Sequence, residues 1–96
     1  MKPRPNRLPS VNIRAGWHNY QFHVGVSLDP DTAEPVDVFY SDGMKSGTDL
    51  LHTVQDTCIL LSLLMRSGVP LADVADRLSN DGVGAAIIAA VLEENA

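Results

Sequence analysis

The segment NYQFHVGVSL, residues 19–28, alternates without a break. Tyr20, Phe22, Val24, Val26 and Leu28 fall on one side, and Gln21, His23, Gly25 and Ser27 on the other. A period of two over this length marks a strand with one buried face, as found in antiparallel sheets. Turn chemistry follows at once in DPDTAEP, where Asp, Pro and Thr cluster. VDVFY then reads as the partner strand, with Val36, Val38 and Tyr40 on one face, and a hairpin joins the two. A weaker, short strand is expected before them at VNIR.

Behind the hairpin the period changes. From Thr48 to Ser67 the spacing predicts a helix. Ser46 or Thr48 can cap it, Asp49 suits the positive end of its dipole, Gly68 fits the position after its end, and Pro70 lies just beyond. Leu50, Val54, Thr57, Cys58, Leu61, Leu64 and Met65 make the main apolar stripe. His52, Gln55, Asp56, Ser62 and Arg66 lie opposite, interrupted by Ile59 and Leu63. A helix with apolar residues on both sides is buried on both sides. In so small a chain the second contact is expected from another subunit, so the sequence predicts a homo-oligomer. PLADVADRLS reads as a short helix with Pro70 in its first turn, SNDGVG as its break, and AAIIAAVLEE as a last, alanine-rich helix. Together these predict an α+β fold: an N-terminal antiparallel hairpin or small sheet, then two to three helices packed on one face.

The chain has 96 residues, of which 45% are apolar. That is enough for one compact core and too apolar for a disordered chain. Residues 1–9, MKPRPNRLP, read as an extended, basic, proline-rich arm, and residues 10–96 as a single domain. With a single cysteine, Cys58, no internal disulfide can form. No secretion signal and no run of the roughly 20 apolar residues needed to cross a bilayer is visible, so a cytoplasmic protein is expected, with no membrane partner. The net charge is −5, unevenly placed. Lys2, Arg4, Arg7 and Arg14 stand without an acid among residues 1–14, while the rest of the chain is strongly acidic. An acidic body repels nucleic acid, which is therefore not expected as a partner.

One stretch suggests ligand chemistry. SDGMKSGTDLLHTV places Gly43, Lys45, Ser46, Gly47 and Thr48 directly before a helix. Free N–H groups at a helix start attract anions, and glycines let a phosphate approach the backbone. Lys45 adds charge, and Arg4 or Arg7 of the arm can supply more. The order departs from the P-loop, in which the lysine follows the last glycine. A strand-to-helix turn with ordinary capping is the plainer alternative. Elsewhere, His18, His23 and His52 lack metal-ligand spacing, and His18 and His23, five apart on a strand, face opposite sides. Cys58 sits within the apolar stripe and reads as a core residue. Trp17 and Tyr20 read as the edge of the core, with base stacking as the alternative. No catalytic residues, metal site or cofactor is expected, and nothing argues for an enzyme.

In order along the chain, RLP, the strand YQFHVGV with its central Gly25, EPVDVFY, the loop GMKSGT and the helix DTCILLSLLMRSGVPLADVADRL resemble the TSCPD domain. This small domain occurs at the C-terminus of cobalamin-dependent ribonucleotide reductases and as short stand-alone bacterial and phage proteins. The resemblance runs over about residues 7–80. Asp37 stands where glutamate is usual, the hairpin loop is longer than expected, and the Thr-Ser-Cys-Pro-Asp stretch that names the family is missing. The resemblance implies an α+β accessory or binding domain linked to nucleotides, without reductase activity. The expectation is thus a non-enzymatic, self-associating domain that binds a nucleotide or another phosphate-bearing ligand. The alternatives are a protein-interaction or regulatory module, such as a reductase accessory subunit, and a phage protein sequestering a signalling nucleotide.

Overall fold

A computed structural model describes residues 9–94. Three strands, β1 (Ser10–Trp17), β2 (Tyr20–Leu28) and β3 (Pro35–Asp42), precede three helices, α1 (Asp49–Arg66), α2 (Leu71–Arg77) and α3 (Val83–Glu94). The strands form an antiparallel sheet in the order β1-β2-β3. The expected α+β architecture is therefore the observed one.

The sheet has one dry face. Ile13 and Ala15 of β1 pair with Val24 and Phe22 of β2, Val26 pairs with Val38 of β3, and all six are buried. α1 covers this face mainly along β3 and α3 mainly along β1, with α2 packed against α3. Val54, Cys58 and Leu61 of α1 meet Ile87, Ile88 and Val91 of α3 in the same core. On the opposite face the Phe39 ring lies over Gly25, its partner in register: a Cβ added to Gly25 would stand 2.1 Å from the ring.

β1 is longer than the short strand expected at VNIR. It runs in unbroken register with β2 from Ser10↔Ser27 to Trp17↔Tyr20, closed by a two-residue loop of His18 and Asn19. His18 takes the left-handed φ of 55° that such tight loops require and lies in this turn, not on a strand facing away from His23. Pro9, at the end of the arm, already accepts a hydrogen bond from the Leu28 N–H at 2.7 Å. At the turn end, the Trp17 Nε1–H donates to the Asp81 carbonyl at 2.6 Å and ties the hairpin to the loop before α3.

α1 begins and ends close to the expected residues. Thr48 is its cap, accepting from the Leu51 N–H at 3.1 Å, and Gly68 follows its end with φ 84° while its N–H and that of Val69 return to Met65 and Leu64. The face it buries differs from the stripe read in the sequence. Leu51, Val54, Cys58, Leu61 and Ser62 are buried, while Leu64 faces outward. The reason is the outer edge of β3. The Val38 N–H donates to Ser62 Oγ at 3.0 Å, and the Ser62 hydroxyl donates to the Val38 carbonyl at 2.8 Å. One side chain thus satisfies both backbone groups of an edge residue that would otherwise be buried without partners.

Ser62→Ala leaves both Val38 groups unpaired in a dry place. Urea unfolding is expected to show a loss of about 1–3 kcal/mol for each group that water cannot reach. Ser62→Thr, which keeps the hydroxyl, is expected to lose less.

Candidate functional site

The loop from Gly43 to Thr48 links the end of β3 to α1, so Gly43, Lys45, Ser46, Gly47 and Thr48 stand together. The loop is held by its neighbours. Gly43 has φ 107°, and a Cβ there would lie 2.7 Å from the Phe22 Cα, so the backbone of β2 leaves no room for a side chain. Gly47 is also left-handed, at φ 77°, but with open space around it. The Tyr40 hydroxyl accepts from the Met44 N–H at 2.7 Å and fixes the first half of the loop. Thr48 Oγ1 donates to the Lys45 carbonyl at 2.9 Å and fixes the second.

These bonds divide the loop by role. The Thr48 hydroxyl spends its proton on Lys45 and accepts from Leu51, so it acts as a helix cap. Lys45, Ser46 and Gly47 are exposed, and Lys45 makes no ion pair among the described residues. Two carboxylates flank them. Asp49 occupies the first turn of α1, where it already complements the dipole. Asp42 ends β3 and is bonded to His23 Nδ1 at 2.9 Å. Arg4 and Arg7, expected to add charge here, lie outside the described residues.

The sequence reading missed the Asp42–His23 pair and the Tyr40 pin. The Asp42–His23 pair crosses the β2–β3 register at its bulge between His23 and Val24, and the Tyr40 pin depends on where the loop turns back over its own strand. Among the described residues no group of three or more His, Cys, Asp or Glu side chains is placed to hold a metal ion. No described helix is long and apolar enough to cross a membrane.

A cleft of about 420 Å³ opens between β3 and α1, lined by Phe39, Tyr40, Gln55, Asp56, Cys58 and Ile59. Cys58 is no nucleophile there. Burial, with a smaller contribution from the Asp37 charge, pushes its thiol up to about 11. Asp37 in turn pairs with Arg66 at 3.4 Å across the same junction.

The outward side of α1 is the other notable surface. Ile59, Leu60 and Leu63 are 57%, 61% and 53% exposed, more than a large apolar side chain on a lone surface helix warrants. Leu64 and Leu78 continue the patch into an apolar groove of about 340 Å³ that ends at Gly84 of α3.

A three-stranded sheet covered on one face by helices, with a pinned glycine-rich loop and an uncovered apolar helix face, makes up a small α+β domain. The chain belongs to the TSCPD domain family, whose model matches residues 2–94. The match extends beyond residues 7–80 at both ends, so the missing Thr-Ser-Cys-Pro-Asp stretch does not set the chain apart from the family. No curated protein and no solved structure matches it.

The raised thiol makes a prediction about pH. The folded state holds Cys58 protonated well above the ordinary value of 9.0. Its contribution to stability is therefore complete below pH 9 and is lost as the pH rises towards about 11. Denaturant midpoints measured across that range are expected to fall, and to fall less in Cys58→Ala. At pH 8, a thiol reagent is expected to modify Cys58 only on unfolding.

Proposed function

We propose that this TSCPD domain is a cytoplasmic, non-enzymatic binding protein that associates with a second copy of itself through the outer face of α1. The observation that carries this reading is the exposed band of Ile59, Leu60, Leu63 and Leu64. Burying such a band is favourable by about 25 cal/mol for each Å² removed from water. The band occupies only the C-terminal half of the helix. The N-terminal half presents Asp49, His52, Thr53 and Asp56 to solvent. Asp56 precedes the band and Arg66, which pairs with Asp37 of its own chain, follows it, so an antiparallel copy sets the acidic end of one helix beside the Arg66–Asp37 end of the other. A two-fold contact of this kind is self-complementary. Leu60→Asp with Leu63→Asp is expected to shift the mass measured by light scattering downwards while leaving the circular dichroism spectrum unchanged, because both side chains lie outside the core. An unchanged mass sinks the α1 interface.

A second reading concerns the Gly43–Thr48 loop as the seat of a phosphate-bearing ligand, a nucleotide being the class the family context favours. Its support is the exposed Lys45 beside a left-handed Gly47 with open space, and the N–H groups of Asp49 and Leu50, which have no protein acceptor among the described residues. The flanking Asp42 and Asp49 oppose an anion, so modest affinity is expected. Thermal unfolding against mono-, di- and cyclic nucleotides tests this directly. A ligand at a hundredfold excess over its Kd adds about 2.7 kcal/mol, and Lys45→Ala is expected to remove most of that gain. A panel without any shift leaves the loop as a capped helix start.

A further inference from the structure

The outer edge of β3 is closed at Val38 and open one step further on. Ser62 takes both backbone groups of Val38. The register from Val26↔Val38 to Val24↔Tyr40 has no shift, so the N–H and carbonyl of Tyr40 turn to the same outer side. There they find no protein partner among the described residues. The shift comes next, between His23 and Val24, and sets Asp42 in register with His23 of β2. Strand addition needs a run of open backbone groups. Here the Ser62 bonds on one side and the bulge on the other limit that run to Tyr40.

Tyr40 lines the cleft of about 420 Å³ between β3 and α1. That volume falls in the range of roughly 300–1,000 Å³ typical of small-molecule sites. Phe39 and Ile59 give the cleft apolar sides, and Gln55 and Asp56 line it from α1. A carboxamide supplies both a donor and an acceptor, and a carboxylate supplies acceptors only. Asp56 is the one charged residue of this lining. Asp37 and Arg66 pair with each other at the far, closed end of the junction, and Asp42 pairs with His23. With an acid and no cation in its lining, the cleft disfavours an anionic group and suits an amino group.

We infer that the cleft seats a planar, amino-bearing heterocycle, such as a nucleobase presents, read by the Tyr40 backbone and the Gln55 carboxamide. One backbone donor and acceptor match the edge of a single ring system, and the apolar sides suit a flat one. Gln55 lies about 10 Å along α1 from the Thr48 cap. A nucleotide with its ring in the cleft can therefore extend towards Lys45 and Gly47. This deepens the loop reading above and rests on it only for the phosphate end. Ile59 is the residue that the cleft shares with the band proposed for self-association.

Amide NMR of the nitrogen-labelled full chain separates the two ends. Adenosine, guanosine, cytidine and uridine probe the cleft without a phosphate, and inorganic phosphate probes the loop without a ring. At least one of the three amino-bearing nucleosides is expected to move the Tyr40 N–H resonance, and uridine to move it least. The Val38 N–H, already bonded to Ser62, is the internal reference. Gln55→Ala, at an exposed helix position, is expected to weaken nucleoside binding about fivefold, as for the loss of one net hydrogen bond, and Lys45→Ala to leave it unchanged. A nucleoside response at Tyr40 without any phosphate response at Lys45–Thr48 upholds the cleft and counts against the loop reading. Phosphate responses at the loop with none at Tyr40 to any nucleoside overturn the cleft and leave the loop reading standing. Equal nucleoside affinity in Gln55→Ala overturns the role given to Gln55.

Discussion

The free edge of β3 would bury backbone groups that only a side chain from α1 can satisfy. Ser62 supplies both the donor and the acceptor that Val38 lacks, and in doing so it sets the rotation of the helix about its own axis. Once Ser62 is turned inwards, Leu51, Val54, Cys58 and Leu61 must follow it into the core. Ile59, Leu60 and Leu63 are then carried out of the core by the geometry of the helix and not by any preference of their own. The apolar surface proposed for association is thus a consequence of how a polar edge is closed. A hydroxyl at position 62 and leucines at 60 and 63 belong to one arrangement.

Much of this was legible in the sequence, for physical reasons that differ between elements. β2 alternates so strictly that its central inward residues, Phe22, Val24 and Val26, are legible one by one, whereas Tyr20 at its start is exposed and Leu28 at its end only partly buried. The two ends of α1 were readable because Thr48 and Gly68 are residues whose chemistry belongs to helix ends. β1 is hard to read in full because its inward side holds only Ile13 and the small Ala15 as buried residues between polar neighbours, and because its turn uses His18 where glycine would signal a hairpin. In the sequence Ser62 falls on the wet side because a serine's pattern value is polar. Only the position of the β3 edge, a tertiary fact, reveals that its hydroxyl belongs inside. For the loop, local sequence was enough to bring Gly43, Lys45, Ser46, Gly47 and Thr48 together. It could not reveal that the Thr48 hydroxyl is already committed to Lys45 and Leu51.

The loop and the helix face also differ in what they ask of the fold. The loop is held by Tyr40, by the close backbone of β2 at Gly43 and by its own threonine, and a pinned loop of this kind presents fixed groups at little entropic cost. The helix face depends on area, not on positioned groups, and tolerates exchange among apolar residues.

The bond from Trp17 to the Asp81 carbonyl gives the molecule a built-in optical probe. This is the chain's one tryptophan. It stands half-buried where the first hairpin meets the loop that launches α3, with Tyr20 stacked at 6.1 Å between ring centroids. Undocking of the last helix would free the indole N–H and change the polarity around the ring. Emission from this one residue would report opening at the α3 end of the sheet separately from global unfolding followed by circular dichroism.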